Sequence, residues 1–157
     1  MWLKLDLDGI NFQMRIRGYE PYNKEKQDDQ WCTIEYSFRG LGINFIDDGD
    51  DILLSYEIER LASSLDDLLQ NKITKVYTIE CIEPDFKFML IPENDIWDIS
   101  MELKSYFWNG HLTDNYLSLS FDRQDIIYFK NYLLYVMKKL DKDDAIIQDM
   151  LEKDVLY

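Results

Sequence analysis

The 157-residue sequence predicts an α+β fold, an antiparallel sheet packed on helices, and three observations carry that reading. Apolar and polar residues alternate in several short runs, the period of two expected of strands with one wet face. Two segments switch to the 3.6-residue period of an amphipathic helix, one in mid-chain and a longer one near the carboxyl end. Short turn signals join the strand-like runs, which favours a meander of about seven or eight antiparallel strands over a crossover topology. The length fits a single domain over residues 1–157. A domain of that size buries roughly 70% of its unfolded surface and needs no metal or disulfide to be stable.

The elements follow in order. Leu3, Leu5 and Leu7 alternate with Lys4 and Asp6, and Asp8-Gly9 is the residue pair of a two-residue hairpin turn. On the return strand Ile10, Phe12, Met14 and Ile16 point one way, while Asn11, Gln13, Arg15 and Arg17 point the other. Residues 18–30 are polar and rich in turn formers, hence a loop. Cys32, Ile34, Tyr36 and Phe38 resume strand character. Gly40 and Gly42 then predict a bulge or kink, after which Ile43, Phe45 and Ile46 lead to an acidic turn.

Ser55 stands at an N-cap position, with Glu57 and Glu59 in the first turn of a helix whose stripe is Ile58, Leu61, Leu65, Leu68 and Leu69. Three alternating runs, over 76–82, 86–91 and 96–107, are separated by Pro84 and Pro92. After Asn109-Gly110 a last strand turns Leu117, Leu119 and Phe121 inward. Asp122 caps the long helix, whose stripe is Ile126, Phe129, Leu133, Val136, Met137 and Leu140, and a short final helix is built on Ile146, Ile147, Met150 and Leu151. The sequence carries no evident internal repeat.

Charge narrows the function. Thirty-one Asp and Glu against seventeen Lys and Arg leave a net charge of -14. Such a field speeds encounter with a basic partner and repels nucleic acid and anionic lipid. The cations are dispersed, Arg15 and Arg17 on one strand and Lys138 and Lys139 near a helix end, so no basic patch for nucleic acid forms. The longest uncharged apolar runs, such as residues 88–92, fall far short of the roughly 20 residues that span a bilayer. Acids follow Met1-Trp2-Leu3-Lys4-Leu5 before any signal-like apolar stretch, which places the expectation in the cytoplasm. Cys32 and Cys81 lack a CxxC spacing and read as buried, inert thiols. No glycine-rich phosphate loop and no cofactor motif is present.

The candidate site residues each have a structural alternative. Asp47, Asp48, Asp50 and Asp51 place four carboxylates in five residues, a solvated turn, a contact for a partner's Lys and Arg, or a cation site without the ligand offsets of an EF-hand. His111 and Asp114 form a possible acid–base pair with no nucleophile elbow beside it, and Asp114 equally suits a turn. Trp108 is either a core anchor or an aromatic offered to a partner. Tyr128, Tyr132 and Tyr135, spaced i, i+4, i+7, form either the margin of the buried face of the long helix or an exposed binding stripe.

The stretch Glu83-Pro84-Asp85-Phe86-Lys87-Phe88, followed by a long strand, by Trp108-Asn109-Gly110-His111-Leu112-Thr113-Asp114-Asn115-Tyr116-Leu117-Ser118-Leu119 and by an acid-capped helix, resembles the WapI-like family of bacterial polymorphic-toxin immunity proteins. The resemblance implies a small, cytosolic, non-enzymatic protein without cofactors, associated with contact-dependent inhibition, that neutralises a cognate toxic domain, often a nuclease. The expectation is a basic toxin domain as partner, held through Asp47, Asp48, Asp50, Asp51, Trp108, His111, Tyr128 and Tyr132. Two other classes stay open: an assembly module forming homo-oligomers, and a small hydrolase using His111 and Asp114.

Overall fold

Asp8 and Gly9 have φ of +52° and +86°, the left-handed pair of a type I′ turn, and so join β1 (Leu3–Leu7) to β2 (Ile10–Arg17) as the Asp-Gly signal predicts. The computed structural model describes residues 1–26, 28–92, 99–106 and 116–157. After the loop come β3 (Trp31–Gly40), β4 (Ile43–Leu54) and helix α1 (Ser55–Leu69). Then β5 (Tyr77–Glu80), β6 (Phe86–Ile91), β7 (Ser100–Tyr106) and β8 (Tyr116–Phe121) precede α2 (Arg123–Val136) and α3 (Ala145–Glu152). The fold is α+β, and its strands divide into two antiparallel four-stranded sheets, ordered β1-β2-β3-β4 and β5-β6-β7-β8. Each half of the chain is thus a four-strand meander followed by a helix, an equivalence that the sequence does not display.

Three local expectations are corrected. Gly40 and Gly42 do not kink a continuous strand: Leu41 and Gly42, with φ of +50° and +81°, close a second two-residue turn between β3 and β4. Gly40 itself passes so close to the first turn that a Cβ on it would lie 2.1 Å from the Gly9 carbonyl oxygen. The acidic run is not a turn, because residues 47–51 lie inside β4. Ser55 is the first residue of α1 and not its cap, which is Leu54. The cap's N–H donates instead to the Glu57 carboxylate at 2.9 Å, and Glu57, only 4% exposed, also accepts the Ile82 N–H at 2.7 Å. Ser55 is buried, its Oγ accepting the Glu20 N–H and touching the Cys32 sulfur at 3.6 Å.

The core is an aromatic seam between the inner faces of the two sheets. Phe12 stacks on Phe38 with ring centroids 5.5 Å apart and meets Phe121 of the other sheet edge-on at 5.8 Å. Tyr36 contacts Phe86 across the same gap at 4.8 Å, and Phe129 of α2 closes the seam against Phe88 and Phe121. Each such ring, fully buried, contributes about 1.5–3 kcal/mol over its exposed state, which makes this seam the main link between the halves. Asp122 caps α2 as expected: its carboxylate accepts the Asp125 N–H at 2.9 Å while Asp125 accepts the Asp122 N–H at 3.1 Å.

Cys32 is buried and Cys81 half-buried, and burial pushes their thiols up to about 11 and about 12, so both stay protonated at neutral pH. No described helix is long and apolar enough to cross a membrane. The edges of the first sheet differ. The carboxyl-terminal tail lies along β1, Trp2 and Lys4 donating to the Tyr157 and Val155 carbonyls at 2.8 Å, whereas among the described residues β4 pairs with β3 alone.

Candidate partner-binding surface

β4 carries the acidic run along the edge of a sheet, where one side of the strand faces solvent and four carboxylates can be hydrated. The strand is irregular there: its register against β3 shifts between Cys32 and Thr33 and between Ile34 and Tyr36, so that Tyr36 faces Asp47, Ile34 faces Asp50 and Thr33 faces Asp51. Gly49 makes this possible. Its φ is +112°, which strains any other residue, and a Cβ there would sit 2.9 Å from Cγ of Glu35 and force that side chain to shift. The Gly49 N–H donates to Asp47 at 3.0 Å and the Thr33 hydroxyl to Asp51 at 3.0 Å, while Asp48, Asp50 and Asp51 remain exposed.

The acidic surface is larger than the run. Burial raises the Asp47 carboxyl above its ordinary value, with Asp50 and Asp48 adding to the rise. Burial likewise raises Asp85, in the turn between β5 and β6, against a backbone hydrogen bond that lowers it, with Glu83, Asp47 and Asp50 adding to the rise. Tyr36, opposite Asp47 in the ladder, packs on Phe86 at 4.8 Å, which brings the acid-Pro-acid stretch just before Phe86 toward β4 and groups acids of both sheets on one side. Tyr36, buried beneath them, has its hydroxyl raised by burial and then by Asp47, Asp85 and Asp50.

Seven ion pairs occur among the described residues, and none of them neutralises Asp47, Asp48, Asp50, Asp51, Glu83 or Asp85. Two cations on the outer face of the same sheet are held by Glu35, while Arg39 has no ion pair among the described residues and shares a groove with Asp47 and Asp48. Arg15 grips Glu35 with two hydrogen bonds and lies 4.8 Å over the Trp2 ring, Arg17 joins Glu35 at 3.2 Å, and the Arg15 guanidinium holds the Glu35 carboxyl below its ordinary range. Among the described residues no cluster has the makings of a metal site. A second acidic concentration, Asp6, Asp8, Asp122 and Asp125, lines a small pocket of about 230 Å³ at the α2 amino end.

The other sequence candidates are placed differently. Tyr128 and Tyr132 are 8% and 1% exposed, so the exposed-stripe reading is corrected: both belong to the buried face of α2. That helix is covered on several sides, by the sheets, α1 and α3, which widens its buried face beyond the stripe of Ile126, Phe129 and Leu133. Trp108, His111 and Asp114 lie outside the described residues. A cleft of about 550 Å³ runs between Ile16, Tyr19, Tyr135 and Leu140 and contains no imidazole, since His111 is the only histidine of the chain. Glu83 and Asp85 are the partners that charge counting along the chain missed, and the acid-Pro-acid motif was the signal for them.

The model of the immunity protein WapI-like family matches residues 3–141. The chain belongs to that family. No curated protein matches it. A solved structure described as that of the plant transcriptional regulator PBF-2 is similar with a TM-score of 0.42 and 10% identity, over 99% of this chain and 93% of that one. The WapI-like match takes in both sheets, α1 and α2, and thus the whole acidic patch.

Proposed function

We propose that this WapI-like chain binds and neutralises a cognate toxin domain, and that the patch formed by Asp47, Asp48, Asp50 and Asp51 with Glu83 and Asp85 is the surface it presents. Family membership supports the toxin partner. The observation that carries the choice of surface is the lack of any described ion pair at these six carboxylates, which leaves their charge available to a basic partner. A nuclease cleft is basic because it holds phosphates, and carboxylates fixed on a strand edge substitute for them. The role is occupation of a cleft in the cytoplasm, without catalysis and without a cofactor.

The test is co-expression with the toxic domain encoded beside this chain's gene. The chain should restore growth, and the dissociation constant should rise with salt, since exposed charges are screened over about 8 Å at physiological ionic strength. The triple substitution Asp48→Asn, Asp50→Asn, Asp51→Asn should weaken binding by about tenfold or more and flatten the salt dependence. A complex that forms with the same affinity at low and high salt would sink the phosphate-mimic mechanism.

A further inference from the structure

We infer that the toxin domain docks by laying an extended, Lys- or Arg-rich segment of its own backbone along β4, as a fifth strand of the first sheet. This inference rests on the toxin-binding reading above and specifies its geometry. The hydrogen-bond alternation of the sheet shows which atoms are open. The two-residue turns make Leu7/Ile10 and Gly40/Ile43 closing hydrogen-bonded pairs, so Phe45 and Asp47 bond to β3 while Asn44 and Ile46 turn N–H and C=O outward. The same alternation turns the Ile16 N–H away from β3, where it donates to Tyr132, and turns Trp2 and Lys4 toward the carboxyl-terminal tail. One edge of the sheet is thus occupied by backbone; among the described residues nothing pairs with the outer side of Asn44 and Ile46.

Charge selects the occupant. An open edge invites any strand, and a second copy of this chain pairing antiparallel along the acidic run, centred at Gly49, would set Asp47 and Asp48 against Asp51 and Asp50. A cationic strand meets opposite charges at those positions. Ile46, 52% exposed on the outer face, borders a groove of about 370 Å³ that reaches Ser37, Arg39, Trp2 and Tyr157, where alternate side chains of the added strand would lie.

Asn44→Pro and Ile46→Pro each delete one outward N–H without touching the β3 ladder, and Ile46→Thr keeps the N–H while trimming the apolar side chain. Binding to the neighbouring toxic domain should fall by about tenfold for each proline variant and by less than about threefold for Ile46→Thr, with far-ultraviolet circular dichroism unchanged. Hydrogen exchange on the wild-type complex gives a second readout independent of whether the proline variants fold: the Asn44 and Ile46 amides should be fast in the free chain and slow in the complex. Growth rescue and binding by the wild-type chain together with unaffected proline variants, or with Asn44 and Ile46 amides that stay fast at saturation, overturns strand addition and leaves the toxin-binding reading standing. Failure of the wild-type chain to bind the toxic domain or to restore growth overturns both.

Discussion

The hydroxyl of Tyr132 in α2 accepts the Ile16 N–H at 2.8 Å, fastening a helix to a strand 116 residues earlier in the chain. β1 pairs with β2 only as far as Leu3 opposite Met14, so the Ile16 amide lies past the end of its neighbour and would otherwise be a buried donor without an acceptor. Tyr132→Phe should cost about 1–2 kcal/mol in urea unfolding with the fold retained. A loss under about 0.3 kcal/mol would mean that water replaces the hydroxyl.

Glu57 fastens three elements at once, because its two carboxylate oxygens take the Leu54 and Ile82 amides. Glu57→Ala strands both donors and should destabilise by about 2–4 kcal/mol, while Glu57→Gln, which keeps an acceptor, should cost roughly half as much. Equal losses for the two variants in chemical denaturation would contradict this account.

Gly40 has the least tolerant backbone position. With φ of +136° and the Gly9 carbonyl 2.1 Å from where a Cβ would be, Gly40→Ala must displace one of the two hairpins. The expected cost is about 3 kcal/mol or more, read as insoluble expression or a collapsed unfolding midpoint. Gly42→Ala has the strain of its +81° φ but open space around it, and should be clearly milder.

Asp125 gives stability a pH slope. Burial, with Asp122 and Asp8 nearby, pushes its carboxyl up to about 6 from its ordinary 3.8. A carboxyl with a raised native pKa binds its proton more tightly folded than unfolded. Its contribution is therefore complete below about 3.8 and is lost as pH rises through about 6. Asp125→Asn keeps an acceptor for the Asp122 N–H and removes the titration, so the difference between wild type and variant in urea midpoint should change across pH 4 to about 6 and be flat above. A difference independent of pH across that window would refute the assignment.

How much was legible in the sequence depended on how local the cause was. The first hairpin was fully readable, since Asp8-Gly9 demands left-handed backbone, and three inward apolar residues on β1 facing four on β2 fix the register. The α2 cap was readable for the same reason. Asp47-Asp48-Gly49-Asp50-Asp51 looked like a turn because its composition is that of a turn; that it continues as a bulged strand on a sheet edge is decided only by the pairing order. Ser55 looked like a cap because its type fits, but Leu54 takes that place and a carboxylate one turn further on does the work. The division into two sheets, the burial of Tyr128 and Tyr132 and the approach of Asp85 to Asp47 all depend on residues far apart in the chain, and no window of sequence contains them.

The aromatic seam has a consequence for synthesis. Phe12, Phe38 and Tyr36 are made in the first third of the chain, yet the rings of the second half that meet them, Phe86 and Phe121, follow 48 or more residues after Phe38. The leading meander therefore emerges from the ribosome with its greasy side bare, and it stays a client for chaperones until the trailing meander is translated.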